Sequence, residues 1–168
     1  MRRALTLVVL AVAVAFGACA QGTTNGFSVT PPGGWEDRTD TAETRTRGEF
    51  EVVYAGTPVD GLASTITVSR IAVPKGGGAR TSATAARAAV LDTFRAAAPT
   101  PLAPATLDGA RGFGFDYRAG DKRARYLTVE HRGELYAATL EAAPTAYDRG
   151  MQVFDAFLRS WKWDKPAT

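Results

Sequence analysis

The sequence has only one cysteine, Cys19, and only one histidine, His131, among its 168 residues. A single thiol cannot form an intrachain disulfide, and one histidine with one cysteine supplies too few side chains for a zinc site. No serine lies in a G-x-S-x-G motif, and His131 falls at a predicted hairpin turn beside Glu130 and Arg132. A serine hydrolase needs a histidine base close to its nucleophile, so we assign no catalytic residue and no metal site.

The chain also lacks the G-x-x-x-x-G-K-[ST] signature of nucleotide-hydrolysing enzymes, and we expect no cofactor. Its formal net charge is +3, but two of the basic residues, Arg2 and Arg3, belong to the first three positions. Without residues 1–18, the remainder carries 18 basic and 17 acidic side chains. A domain this close to neutrality does not favour nucleic acid as a partner.

The longest apolar run lies at the N-terminus, where Arg2 and Arg3 precede 13 almost wholly apolar residues, 4–16. Such a run is too short to span a bilayer core, which needs about 20 residues. A basic start, a short apolar core and small residues at its end are typical of a secretory signal peptide. The segment Phe16-Gly17-Ala18-Cys19 resembles the bacterial lipobox, and that resemblance implies cleavage before Cys19 and attachment of diacylglycerol to its sulfur.

Ordinary cleavage after Ala18 or Ala20 is the alternative, and it would leave an unpaired thiol that is prone to unwanted disulfides. We predict a lipoprotein signal peptide over residues 1–18, a short tether over 19–26 and one domain over 27–164. The predicted location is the outer face of the cytoplasmic membrane. A tether this short would keep the domain close to its anchor at Cys19.

Strands are predicted where short apolar or β-branched segments are bounded by glycine and proline. These segments are 27–30, 50–55, 65–73, 111–117, 123–131 and 135–142. The apolar phase of 65–73 shifts by one residue, which predicts a bulge near Ser69–Arg70. Short turns between the later strands predict an antiparallel sheet covered by amphipathic helices, an α+β fold.

Two amphipathic helices are predicted. The first is capped by Thr81 or Ser82 and runs to about Ala97. Its apolar stripe comprises Ala83, Val90, Leu91, Phe94 and Ala98. The second runs from Thr145 to about Trp161, and its large apolar side chains fall on one face. They are Tyr147, Met151, Phe154, Leu158 and Trp161.

Three segments carry a resemblance to a known fold: "GFSVTPPGGW" at 26–35, "LDGARGFGFDY" at 107–117 and "FLRSWKW" at 157–163, which follows Tyr147 and Phe154. They resemble the PsbP-like α/β/α sandwich, and most of all the LpqN-type lipoproteins of high-GC Gram-positive bacteria. The resemblance covers nearly all of the chain after Cys19. It implies one domain with a mainly antiparallel sheet and no enzymatic activity, because proteins of this fold are mostly accessory subunits, binding proteins and transport factors.

Two basic regions are candidate contact sites. One predicted hairpin carries five cations, Arg118, Lys122, Arg123, Arg125 and Arg132. These predict contact with an acidic protein or an anionic lipid, although charges of this kind also protect edge strands from aggregation. The glycine-rich segment 74–82 leads into the first predicted helix beside Lys75 and Arg80, and it predicts either an anion site or a flexible connector.

These observations predict a membrane-anchored, non-enzymatic accessory or binding protein that contacts the membrane through lipidated Cys19 and has a protein or envelope-lipid partner. The alternative is a carrier of lipid or another small ligand. A carrier requires an apolar cavity of about 300–1,000 Å³ between sheet and helices, whereas an enzyme requires titratable groups clustered in a cleft.

Overall fold

The computed structural model describes residues 26–41, 50–94 and 97–165. The predicted signal peptide, Cys19 and almost all of the tether lie outside the described residues. Nine strands and two helices are formed by the part of the chain that is described. The strands are β1 Phe27–Ser28, β2 Glu36–Asp37, β3 Val52–Ala55, β4 Thr65–Ile71, β5 Ala103–Leu107, β6 Ala110–Ala119, β7 Lys122–His131, β8 Glu134–Ala142 and β9 Lys162–Trp163. The helices are α1 Ala79–Thr93 and α2 Tyr147–Ser160.

Seven of the strands form one antiparallel sheet in the order β2-β3-β4-β8-β7-β6-β5. Two-residue turns join β5 to β6, β6 to β7 and β7 to β8, so strands that follow one another in the chain also pair. A separate two-stranded sheet pairs β1 with β9 and sets Phe27 opposite Trp163. The mainly antiparallel sheet predicted from the sequence is confirmed.

The two helices cover opposite faces of the large sheet. Along β7, Ala124 belongs to the apolar cluster beneath α1, whereas Leu127 belongs to the cluster beneath α2. Successive residues of a strand point to opposite faces, so an even-numbered and an odd-numbered residue of β7 lie on different sides of the sheet. The fold is therefore an α/β/α sandwich.

The apolar face of α2 packs on the sheet as predicted. Tyr147, Phe154 and Trp161 are each no more than 3% exposed, and Met151 and Leu158 pack against the same cluster while partly buried. The large aromatic side chains lie close to one another within this cluster, where the ring of Phe27 stacks on Trp161 at 4.0 Å.

Helix α1 differs from its prediction at its start, at its end and along its stripe, and it ends at Thr93 rather than at about Ala97. It begins at Ala79, with Gly78 as the N-cap residue and no capping side chain, so the predicted cap at Thr81 or Ser82 is wrong. Leu91 is 50% exposed and does not belong to the buried face. That face consists of Ala79, Ser82, Ala83, Ala86 and Val90. Small side chains give little periodic signal, and for this reason the stripe was misplaced.

The predicted bulge in β4 is also wrong. The pairing of β4 with β8 runs without interruption from Thr65 opposite Glu141 to Ile71 opposite Leu135. The shift of apolar phase reflects a change in surroundings along β4. Beyond Val68, β4 no longer pairs with β3, and its last three residues are only partly buried. The short strands β2 and β5, both at sheet edges, were not predicted, since edge strands need no regular apolar alternation.

Candidate functional site

An open groove of about 430 Å³ lies where the start of α1 meets one end of β6 and β7. Its charged lining consists of Arg80, Arg111, Arg132 and Glu130, and Phe113 forms its apolar wall. Backbone from the start of α1, at residues 78–79, completes it. We call this feature the arginine groove. Three arginines and one glutamate line it, so the lining carries a net positive charge.

Strand alternation and the close approach of α1 position these side chains. Arg111 and Phe113 point to the face of β6 that also carries Phe115 beneath α1. The Arg80 guanidinium lies 4.5 Å from the centroid of the Phe113 ring, in cation–π geometry. A side chain at Gly78 would collide with a carboxylate oxygen of Glu130. The Glu130 carboxylate therefore lies against the N-cap of α1.

The predicted anion site is only partly the same as this groove. Arg80 lines it, whereas Lys75 is exposed in the preceding turn and is not among the lining residues. Arg111, Phe113 and Glu130 were not singled out from the sequence, because they come from strands distant in the chain from the glycine-rich segment. Arg132, predicted as part of the basic hairpin, belongs to this groove instead.

Lys122 is not a surface cation. It is 8% exposed, and its Nζ lies 3.2 Å from a carboxylate oxygen of Glu141, which is 4% exposed. Alternation along β7 turns Lys122 to the same face as Ala124, beneath α1, rather than to the face of Arg123. The neighbouring Tyr117 has a raised pKa, first because it is buried and then because Glu141 is negatively charged. The expectation that Lys122 is exposed for a partner is therefore corrected.

Arg123 and Arg125 fasten the first turn of α2 to the sheet. The Arg125 Nη1 donates to both carboxylate oxygens of Asp116, at 3.1 and 2.9 Å, and the Tyr147 hydroxyl donates to the same carboxylate at 2.8 Å. The Arg123 guanidinium lies 4.0 Å from the centroid of the Tyr147 ring. Burial, followed by the bond to Asp116, raises the pKa of Tyr147. These two arginines therefore contact the start of α2 and the carboxylate that binds it, while their side chains remain 44% and 33% exposed.

The five predicted cations do not form one surface. Arg118 is exposed and makes no ion pair with any described residue. Arg132 lies at the other end of β7, nine residues beyond Arg123, which corresponds to about 30 Å along an extended strand. Of the five, Lys122 is buried and Arg132 is remote, whereas Arg118 and Arg123 lie opposite each other across β6 and β7 and are both exposed.

His131 packs among aromatic rings. Its ring stacks on Trp163 with centroids 4.1 Å apart and planes 5° from parallel. Burial lowers its pKa, and the positive charge of Arg132 lowers it further. Trp163 is held in turn, because its indole N–H donates to the backbone carbonyl of Leu107 at 3.0 Å. The imidazole thus extends the aromatic cluster around β1 and β9.

A second open groove, of about 350 Å³, runs beside α2 and is lined by side chains of both charges, among them Asp108, Asp155, Arg159 and Lys162. Neither groove is the apolar cavity that a carrier of lipid would require. Over residues 26–41, 50–94 and 97–165, no three histidine, cysteine, aspartate or glutamate side chains come together to hold a metal ion. Within those same ranges no helix is long and apolar enough to cross a membrane.

Solved structures with this architecture exist at low sequence identity. LpqN of Mycobacterium tuberculosis, a protein involved in cell envelope biogenesis, aligns over 83% of this chain and 83% of its own, with a TM-score of 0.61 and 12% identity. CyanoP, the cyanobacterial PsbP of Synechocystis sp. PCC 6803, aligns over 88% of this chain and 98% of its own, with a TM-score of 0.54 and 16% identity. This chain has the PsbP-like fold. The sequence matches no family model and no curated protein.

The resemblance to the PsbP-like fold that three sequence segments predicted is confirmed. The first segment contains β1 and the turn after it, the second reaches from the end of β5 into β6, and the third joins the end of α2 to β9. Each segment therefore belongs to the framework of the PsbP-like fold. Of the residues lining the arginine groove, only Arg111 and Phe113 fall within these segments.

Proposed function

We propose that this chain is an exported lipoprotein, anchored through Cys19 to the outer face of the cytoplasmic membrane, which serves the cell envelope as a non-enzymatic accessory or binding protein. The observation that carries the proposal is the structural likeness to LpqN, which is involved in cell envelope biogenesis. The N-terminal sequence supports the same location, since a short apolar run precedes Cys19.

The chemistry of the arginine groove supports binding rather than catalysis. Arginine stays protonated at physiological pH, so Arg80, Arg111 and Arg132 are suited to hold an anion and not to transfer a proton. Several groups whose pKa is shifted, such as Tyr117 and Tyr147, are buried in the sheet and under α2 instead of lining a cleft. An acid–base enzyme requires such groups at the substrate.

We place the contact with a partner on the exposed cations that the fold leaves unpaired. Arg118 supplies positive charge near the turn between β6 and β7, and the arginine groove supplies it at the opposite end of these strands. An acidic protein segment or an anionic envelope lipid matches this charge. Lys122 is left out because it is buried against Glu141, and Arg123 and Arg125, although partly exposed, are left out because they already pair with Asp148 and Asp116.

The anchor is tested by comparing the wild-type chain with Cys19→Ser in the native bacterium, in a strain that lacks the gene. Protein extracted by detergent from wild-type membranes should begin at Cys19 and carry the mass of an added diacylglycerol. Cys19→Ser should leave the precursor uncut or release the domain from the membrane. A mature N-terminus at another residue, with a free thiol, contradicts the proposed anchoring.

The accessory role is tested in the same strains by measuring dye entry through the envelope. The wild-type chain should restore the barrier, and Cys19→Ser at equal abundance should not. Arg118→Gln should weaken crosslinking to a membrane component, and Arg149→Gln on the exposed side of α2 serves as its charge-matched control. Turnover of a substrate by the purified chain, abolished by His131→Ala, would overturn the non-enzymatic assignment.

A further inference from the structure

We propose that the arginine groove is a binding site for a phosphate group carried by a small molecule or by a lipid headgroup. Within the described residues, the guanidinium groups of Arg80, Arg111 and Arg132 make no ion pair. Arg125, on the same sheet, is by contrast neutralised by Asp116 at 2.9 Å. Three unpaired cations around one open cavity are the observation that carries this inference.

The turn between β7 and β8 places one of these arginines at a conformational disadvantage. Arg132 and Gly133 have φ values of 53° and 77°, the positive pair that a type I′ turn requires. The turn between β5 and β6 has the same pair of signs, 43° and 83°, at Asp108 and Gly109. Asp-Gly is a preferred sequence for that turn, and arginine at its first position is disfavoured. Turn preference therefore does not account for Arg132, whose side chain lines the groove.

One arginine of the groove is held in place before any ligand enters. Stacking over Phe113 restrains the Arg80 side chain, which reduces the flexibility that binding would otherwise have to remove. The cavity of about 430 Å³ falls in the range of small-molecule sites, about 300–1,000 Å³. It therefore has room for the phosphate and for part of the molecule that bears it.

Phosphate matches the groove better than a carboxylate does. A guanidinium presents a planar fork of N–H donors that binds two oxygens at once. A carboxylate has only two oxygens, whereas a phosphate monoester has three strong acceptor oxygens and a charge of about −1.5 to −2 at pH 7. A phosphate monoester therefore offers one strong acceptor oxygen for each of the three arginines. Glu130 opposes the anion, so its neutral variant Glu130→Gln should bind more tightly.

The inference deepens the proposed function, which already places a partner contact on the arginine groove, but it does not depend on the anchor at Cys19. It rests on the groove alone, and it would hold for a chain that is not acylated at Cys19. The full chain carrying Cys19→Ser, purified in a nonionic detergent, is therefore the protein to test. This chain can bind phosphate even if the anchoring experiment shows no acylation at Cys19. Equally, Cys19 can be acylated even if the groove binds no phosphate.

The test titrates that chain with inorganic phosphate and with glycerol 3-phosphate, following the arginine Nε–H resonances by NMR and the affinity by calorimetry. Arg132→Asn is the decisive variant, because asparagine suits the type I′ turn and should preserve or raise the melting temperature. We expect it to weaken phosphate binding about tenfold or more, the effect of losing a hydrogen-bonded charge. Arg111→Gln should act in the same direction, and Arg149→Gln should leave the affinity unchanged.

Vesicles distinguish the two sources of the phosphate. Greater binding to phosphatidylcholine vesicles containing phosphatidylglycerol than to pure phosphatidylcholine vesicles, reduced by Arg132→Asn, supports a lipid headgroup. Saturable binding of glycerol 3-phosphate with the same dependence supports a soluble phosphate ester. The proposal is overturned if neither probe binds, or if Arg149→Gln lowers the affinity as much as Arg132→Asn does.

Discussion

The ion pair between Lys122 and Glu141 is the contact whose removal tests the packing of this sheet most directly. The two charged atoms are 3.2 Å apart, and their side chains are only 9% and 6% exposed. Removing one partner leaves the other charge buried without compensation, which costs about 3–5 kcal/mol in comparable buried pairs. Since domains are stable by only about 5–15 kcal/mol, Lys122→Met alone should remove a large share of the stability.

The double variant separates the charge from the packing. Lys122→Met combined with Glu141→Leu removes both charges while filling similar volume, and it should be nearly neutral or stabilising. Urea unfolding of the wild type, the two single variants and the double variant gives the coupling between the two positions, provided that the slope with denaturant is unchanged. We expect each single variant to be less stable than the double variant.

An exposed pair supplies the control. Lys162 Nζ lies 3.0 Å from Asp108, but the lysine side chain is 68% exposed, and such pairs contribute about 0–1 kcal/mol. Lys162→Met should therefore change the urea midpoint little. If Lys122→Met costs no more than Lys162→Met, the lysine is accessible to water and the reasoning from burial is refuted. In that case Lys122 would return to the set of exposed contact cations.

Two further outcomes are expected. Phe154→Ala should lower the free energy of unfolding by about 3–5 kcal/mol, measured by thermal or urea unfolding, because Phe154 is 1% exposed between α2 and the sheet. Gln152→Ala, on the exposed side of α2, should change the free energy of unfolding little. Equal small losses for the two variants would mean that α2 does not cover the sheet. Burial holds the pKa of His131 below its usual 6.5, so the unfolded chain binds the proton more tightly. The neutral imidazole therefore contributes its full stability above about pH 6.5, and this stability is lost as the pH falls below that value. His131→Gln should make the urea midpoint less dependent on pH below about pH 6.5. An identical curve for the variant would show that the imidazole stays solvated against Trp163.

The hairpins β6–β7–β8 and helix α2 could be predicted from the sequence because each buries a regular apolar pattern. Phe113, Phe115 and Tyr117 alternate along β6, and α2 repeats large apolar residues on one face. Burial on one side imposes that periodicity, so the sequence preserves it. Strands β2 and β5 lie at the edges of the sheet and each has a neighbour on one side only. Because an edge strand need not bury one face regularly, their sequences show no apolar alternation that would predict them.

The glycines of β6 show the limit of such reasoning within a well-predicted strand. Their position opposite large aromatic residues predicts close approach by another element. In the structure the approaching group is the neighbouring strand, since a side chain at Gly112 would collide with the Thr128 carbonyl oxygen and the Val129 side chain. A glycine in a strand indicates that another group comes close to its backbone, but it does not identify which part of the chain that group belongs to.

The same limit explains why the basic residues were grouped wrongly. Lys122 and Arg123 are adjacent, yet a period of two residues sends one beneath α1 and the other toward α2. Alternation along β7 was available in the sequence and would have separated them. The arginine groove had no such signal, because Arg80, Arg111 and Arg132 meet only where α1 crosses the sheet. One local clue did exist, because arginine stands before glycine in a two-residue turn where asparagine or aspartate is usual, and turn geometry alone does not account for Arg132.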